Sequence, residues 1–269
     1  MTTRTTGSFD TGGERIYYES IGDGDPVVLS HGLGGNHACW WQVVPALSAH
    51  HRVITWDQRG FGNSTRRTAD YGPEPAINDL LGLLDHLRLE RVQLLGQSMG
   101  GWVAMGFALR HRERVRSLVL TDTLAGVFTA EINSEVRKAI GTALSRFRGD
   151  TLGEHLALGE SFCRRCPDLA FLYQEISSMG DKPDDAEVFS MLGAMQVPLD
   201  EVAVLDLPIL LVVGDADALC PPSAMRLVAD QIPGADLQVI ADAGHSPYFE
   251  RPEEWTELVG AFLRRHASQ

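Results

Sequence analysis

Gly96-Gln97-Ser98-Met99-Gly100 places a serine between two glycines, each two positions away. A short apolar run (Val92, Leu94, Leu95) precedes it, and residues 102–109 carry apolar side chains at helical spacing. A serine on a sharp turn between strand and helix has strained backbone angles, and its neighbours at plus and minus two must be small for the two elements to approach. The helix that follows aims its N-terminal amides at negative charge forming near the serine oxygen. A serine hydroxyl is a poor nucleophile at neutral pH, so it needs a base, and the base needs a group that orients it. The chemistry suggested is nucleophilic attack on a carbonyl.

Nine histidines are available as the base. His50, His51, His111 and His266 sit beside charged residues at element ends, where solvated roles are expected. His86 falls in an amphipathic helix and His155 in a helical stretch. His37 follows a glycine-rich loop, with a structural role favoured. His245, in Ala243-Gly244-His245-Ser246-Pro247, lies just beyond the last strand-like run. Residues beyond the carboxyl ends of parallel strands meet in one crevice, so Ser98 and His245 are expected to face the same place. For the acid, Asp217 is favoured over Asp215, which directly follows the turn glycine Gly214 and suits a local cap. Asp122, at the end of another strand, is a further rival, and Asp242 suits a turn. The expected oxyanion donors are the backbone amides of Met99, after the nucleophile, and of Leu33, in His31-Gly32-Leu33-Gly34-Gly35. His31 is expected to hold that loop by hydrogen bonding. Residues 57–64, with Arg59, Gly60 and Gly62, read as a turn tied down by an internal ion pair.

These residues need a scaffold. Strand-like runs occur at 15–21, 27–30, 53–56, 92–95, 117–121, 208–213 and 237–240. Helical patterns at 40–47, 76–89, 102–109, 224–232 and 253–266 alternate with them. Apolar strands alternating with helices imply a parallel sheet covered on both faces. The alternation lapses between 124 and 205, which read as three or four inserted helices punctuated by Gly149-Asp150, Pro167 and Gly180-Asp181-Lys182-Pro183. Trp102 is expected in the core.

The chain has 269 residues, 44% hydrophobic and 22% charged, as in an ordinary globular protein. Its formal net charge of -13 argues against nucleic acid or an anionic membrane as partner. Residues 1–10 are polar without an apolar core, so no signal peptide is read there, and a soluble, cytoplasmic protein is expected. Cys163-Arg-Arg-Cys166 has redox or half-zinc spacing, but no second such pair exists and the stretch is helical. Two cysteines of a surface helix is the simpler reading.

Taken together, the His31 to Gly35 loop, Asp57-Gln58-Arg59-Gly60-Phe61-Gly62-Asn63-Ser64, Gly96-Gln97-Ser98-Met99-Gly100-Gly101, Gly214-x-x-Asp217-x-x-x-Pro221 and Gly244-His245 resemble the motifs of the α/β-hydrolase superfamily, in its chain order of serine, acid, histidine. The resemblance implies a mostly parallel eight-stranded twisted sheet with helices on both faces. It also implies a core of residues 1–123 and 206–269 with an inserted helical cap at 124–205. A triad of Ser98, Asp217 and His245 would be served by the Leu33 and Met99 amides, with no metal or organic cofactor. The expected substrate is a small carboxylic ester or lactone, and oligomeric state stays open, with a homodimer among the options. The capped layout is also similar to carbon–carbon hydrolases of ring-cleavage pathways. That subgroup often carries an aromatic residue after the catalytic histidine, where Ser246 stands here, and a carboxylate-binding arginine in the cap, for which Arg164 or Arg165 are the candidates. A slow-turnover small-molecule receptor is the alternative from another class.

Overall fold

A computed structural model describes residues 2–67, 70–147, 152–180 and 183–268. In chain order its elements are β1 (Arg4–Thr11), β2 (Glu14–Ile21), β3 (Asp25–Ser30), α1 (Val44–Leu47), β4 (His51–Trp56), α2 (Pro73–His86), β5 (Val92–Gln97), α3 (Met99–Arg110) and β6 (Val115–Thr121). Five helices follow: α4 (Ala130–Arg146), α5 (Glu160–Arg165), α6 (Pro167–Ser177), α7 (Asp185–Ala194) and α8 (Leu199–Ala203). The chain then returns to the sheet with β7 (Ile209–Gly214), α9 (Pro222–Asp230), β8 (Asp236–Ile240), α10 (Pro247–Glu250) and α11 (Pro252–Arg265).

Among the described residues eight strands form one sheet, in the order β1-β2-β4-β3-β5-β6-β7-β8. The pairings from β4 through β8 are parallel, and β1 and β2 add antiparallel strands at one edge. This is the mostly parallel sheet expected. Successive side chains of a strand point to opposite faces, and the two hydrophobic layers divide the central strands by that rule. Val28, Leu94, Leu118, Leu120, Leu211 and Val213 enter one layer, under α2, α3 and α9. Val27, Leu29, Leu95, Val119, Leu210 and Val212 enter the other, with Leu47, Trp255, Val259 and Phe262 of α1 and α11. Both faces of β5 and β7 are therefore buried, which is why β7 reads as a continuous apolar run and β5 as an apolar one broken by Gln93.

Three local readings change. Residues 4–11, seen in sequence only as a polar start, form edge strand β1, whose side chains are largely exposed. It pairs with β2 from Arg4↔Ile21 to Thr11↔Glu14 across Gly12-Gly13, both at positive φ (53° and 81°), as a two-residue hairpin turn demands. The helix expected over 40–47 shrinks to a 3-10 turn at His37–Trp40 and the four-residue α1, which has Pro45 in its first turn. Proline disfavours helical geometry in the residue before it. Among the described residues, the stretch between β6 and β7 holds five helices where three or four were expected. Pro167 opens α6, while the expected breaks at Gly149-Asp150 and Asp181-Lys182 lie outside the described residues.

The 57–64 turn is tied down differently from expectation. Asp57 accepts from the amides of Asn63 (2.8 Å) and His37 (2.6 Å) and from His37 Nδ1 (2.8 Å). Arg59 does not close the turn on itself; it reaches Asp79 of α2 with two bonds of 2.7 and 2.6 Å. The buried carboxylate that neutralises it is contributed by another element. Among the described residues no helix is long and apolar enough to cross a membrane.

Candidate active site

Ser98 sits between β5 and α3 at φ 48°, ψ −121°, a region that side-chain-bearing residues rarely occupy. Its backbone is pinned by the Ser98 amide donating to the Thr121 carbonyl (3.1 Å) and by the Thr123 hydroxyl donating to the Ser98 carbonyl (2.8 Å). The flanking glycines are sterically required. A Cβ on Gly96 would collide with the Gly100 carbonyl, and one on Gly100 with the carbonyls of Ser30 and His31. The turn therefore brings β3, β5 and α3 into backbone contact. The amides of Met99 and Leu33 find no acceptor among the described residues.

His31, fully buried, holds the loop after β3. Its Nε2 accepts from the Gln58 amide (3.0 Å) and its Nδ1 pairs with the Gly32 carbonyl (2.8 Å). Burial pushes the His31 imidazole below its ordinary value, consistent with a neutral ring that accepts at one nitrogen and donates at the other.

His245 and Asp217 follow β8 and β7 at the same end of the sheet. His245 Nδ1 meets Asp217 Oδ2 at 2.8 Å, both residues buried. Asp217 Oδ1 accepts from the amides of Leu219 (2.7 Å) and Cys220 (2.9 Å). Burial alone would raise the Asp217 carboxyl, but attraction and hydrogen bonding to His245 and the two amides outweigh it and hold the group below the usual carboxylate range. An ionised Asp217 makes Nδ1–H the donor and leaves Nε2 of His245 as the nitrogen available to accept a proton. Asp215 is exposed and accepts from the Ala243 amide (3.4 Å). Asp242 faces Arg165 at 2.7 Å on the surface.

Asp122 does not bond to His245 among the described residues. It accepts from the Thr121 hydroxyl (2.7 Å) and the Gly214 amide (3.0 Å). Burial, then the negative charge of Asp217, push its carboxyl well above the ordinary range. The third donor nearby is Cys220, whose sulfur lies with Asp217 and His245 atoms all within 4.8 Å of one another. Those two are already bonded to each other. Burial and the two aspartates keep the Cys220 thiol well above its ordinary value.

Ser98 and His245 line one cavity of ≈ 420 Å³. Its walls are mainly apolar: Leu33, Trp102 and Leu219 from the sheet-bearing part, and Leu124, Phe128, Ile140, Phe189 and Leu192 from the stretch 124–205. No lysine or arginine is among the described lining residues. Arg164 pairs with Glu160 and Arg165 with Asp242, both outside the cavity. A wider groove of ≈ 990 Å³, lined by charged residues such as Glu135, Lys138 and Glu160, contains none of Ser98, Asp217 and His245.

A family model described as the alpha/beta hydrolase fold matches residues 25–252. The chain belongs to this family. It is similar to a pimeloyl-[acyl-carrier protein] methyl ester esterase of Aeromonas hydrophila, at 30% identity over 92% of this chain and 99% of the relative. It is also similar to a 2-hydroxy-6-oxo-2,4-heptadienoate hydrolase of Pseudomonas putida, at 31% identity over 94% of each chain. Among solved structures, a thermophilic esterase from Thermogutta terrifontis superimposes with a TM-score of 0.79 at 31% identity, over 99% of this chain and 100% of the other.

Several residues of this alpha/beta hydrolase site carry no local signal in sequence. Gln97 Nε2 donates to the His245 carbonyl (2.9 Å) and fixes that loop to β5. The Tyr173 hydroxyl of α6 shares a 2.9 Å hydrogen bond with the Ser246 hydroxyl, beside His245. His155 packs edge-on to Tyr173, ring centroids 4.9 Å apart. Trp102, expected only in the core, is buried yet lines the cavity, its indole donating to the Leu192 carbonyl (3.1 Å). The glycine spacing before Trp102 hinted at a site-facing helix start; the others meet the site through contacts far apart in sequence.

Proposed function

We propose that this alpha/beta hydrolase cleaves carboxylic esters with an uncharged, apolar acyl group, through an acyl-enzyme on Ser98. The observation that carries the reading is that Ser98 and His245 face one apolar cavity while Asp217 occupies the other nitrogen of His245. Ser98 Oγ attacks the ester carbonyl as His245 Nε2 takes its proton. Asp217 holds the ring in the tautomer that permits this and stabilises the imidazolium that forms. The Leu33 and Met99 amides serve the developing oxyanion, each donor contributing about 2.7–4 kcal/mol to the transition state. His245 then returns the proton to the leaving alcohol, and water activated by the same nitrogen deacylates Ser98. A lactone, an internal ester, meets the same chemistry. Residues 124–205 act as a cap whose Phe128, Ile140 and Phe189 cover the acyl chain.

The Pseudomonas putida relative, a 2-hydroxy-6-oxo-2,4-heptadienoate hydrolase, motivates a second reading as a carbon–carbon hydrolase. The cavity lining disfavours it, because a dienoate carboxylate would find no lysine or arginine among the described wall residues. The test is a panel of short and medium acyl esters, lactones and a ring-cleavage diketo acid, run with wild type and Ser98→Ala. Ester turnover is expected to fall by roughly three or more orders of magnitude in the variant. Ester activity that survives the substitution overturns the reading, and turnover of the diketo acid alone promotes the second one.

A further inference from the structure

Glu250, in α10, is a buried carboxylate with no lysine or arginine paired to it among the described residues. It binds backbone amides instead. The Gly244 amide donates to both Oε1 and Oε2 at 3.0 Å, and the Gly159 amide donates to Oε2 at 3.0 Å. Gly244 immediately precedes His245. Gly159 opens α5 and ends the segment in which His155, Leu156 and Ala157 line the cavity. The two glycines are in backbone contact: a Cβ on Gly244 would strike Leu158 and Gly159, and one on Gly159 would come within 2.9 Å of Glu250 Oε2. A single carboxylate therefore joins the base-bearing loop, six residues before it, to a wall of the substrate cavity 91 residues away in the chain.

We propose that Glu250 is a positioning residue, holding the His245 loop and the 155–159 wall in one registration so that base and acyl pocket address the same substrate. The role in turnover rests on the ester reading above; the tie itself does not. An ionised carboxylate serves the Gly244 amide with both oxygens and the Gly159 amide with one, all as charge-assisted acceptors; protonation on Oε1 removes one of these contacts and the charge from the others. Burial pushes the Glu250 carboxyl up to about 7, against the pull of the Gly244, Gly159 and Ser246 amides, and the charge of Asp217 adds to the rise. From the elements packed around it, Cys163 of α5 and Tyr173 of α6 also face it, both with raised values and thus neutral. Arg251, next in the chain, turns outward toward Asp242 (3.9 Å) and Glu254 (3.7 Å). The tie is accordingly strongest with the carboxyl ionised, on the alkaline side of about 7, and weakens as the carboxyl protonates when pH falls through that value.

The test compares the full-length protein with Glu250→Gln, which keeps the size and one acceptor oxygen. Hydrogen exchange is followed in peptides containing Gly159 and Gly244, with β5 peptides as the internal control. Protection at both glycines is expected to fall about tenfold or more in the variant, with β5 unchanged. Wild type should show the same loss, after correction for intrinsic exchange, when the pH drops through about 7, a comparison that stands even if the variant fails to fold. In kinetics with acetyl and octanoyl p-nitrophenyl esters, the variant should raise KM for the octanoyl ester by about fivefold or more and lower kcat for both. The acid-side rise of the octanoyl KM seen in wild type should also disappear in it. Unchanged exchange at the two glycines overturns the tie. Loosened glycines with an unaltered octanoyl KM overturn the positioning role. Wild type inactive on both esters, with the exchange changes intact, upholds the tie and overturns the ester reading instead.

Discussion

Replacing Ser98 by glycine is expected to make the protein more stable while abolishing its activity. Ser98 holds φ 48°, ψ −121°, an arrangement that glycine adopts freely and a residue with a Cβ does not. Strain of this kind costs about 1–3 kcal/mol per residue. Glycine's greater freedom in the unfolded chain offsets about 0.5–1 kcal/mol of the relief. Roughly 0.5–2 kcal/mol of net stabilisation remains for Ser98→Gly. The reference is Ser98→Ala, which loses the hydroxyl but keeps the Cβ and hence the strain. Unfolding entropy scales with chain length, so in a chain of this size 1 kcal/mol moves Tm by about 2 °C. The glycine variant should therefore melt about 1–4 °C above the alanine variant. Calorimetric or circular-dichroism melts of the two variants with wild type provide the assay. A glycine variant that melts at or below the alanine variant would refute the idea that the turn stores strain at residue 98.

Two further outcomes are expected. Asp217→Asn should lower kcat on a good ester by about 10³–10⁴, because the asparagine no longer fixes the His245 tautomer, whereas Asp122→Asn should stay within about tenfold of wild type. Equal losses in the two variants would mean that the carboxyls share the task. His37 is the opposite kind of titrating group: burial disfavours its charge, but Asp57 at 2.8 Å and the nearby Glu19 outweigh burial and raise its value above the ordinary 6.5. Its charge therefore stabilises the fold fully below 6.5, and the contribution fades as pH rises through the raised value. Urea midpoints of wild type and His37→Gln should differ most on the acid side and converge in alkali; a gap constant with pH would assign the effect to the neutral hydrogen bond.

The sequence by itself determined those features whose causes are local. Val92 to Leu95 reads as a buried strand because both faces of β5 are covered. The glycines around Ser98 announce a turn because no Cβ fits beside the carbonyls of Gly100 and Ser30. The succession of apolar strand and amphipathic helix implied a parallel sheet, and that order puts the loops bearing Ser98, Asp217 and His245 at one end of it. Tertiary structure decided what depends on partners distant in the chain. Edge strand β1 has no buried face to give it an apolar rhythm, and it exists because β2 pairs with it. Three aspartates near the ends of strands were open to His245, and only the fold shows Asp217 bonded to it, with Asp122 turned to the Gly214 amide and Asp215 left in solvent. Arg59 likewise found its carboxylate in α2, not in its own turn. Glu250 looks like an ordinary surface glutamate beside Arg251. It becomes a buried anchor only because Gly159 and Gly244, lacking side chains, bring two backbones close enough for one carboxylate to hold both amides.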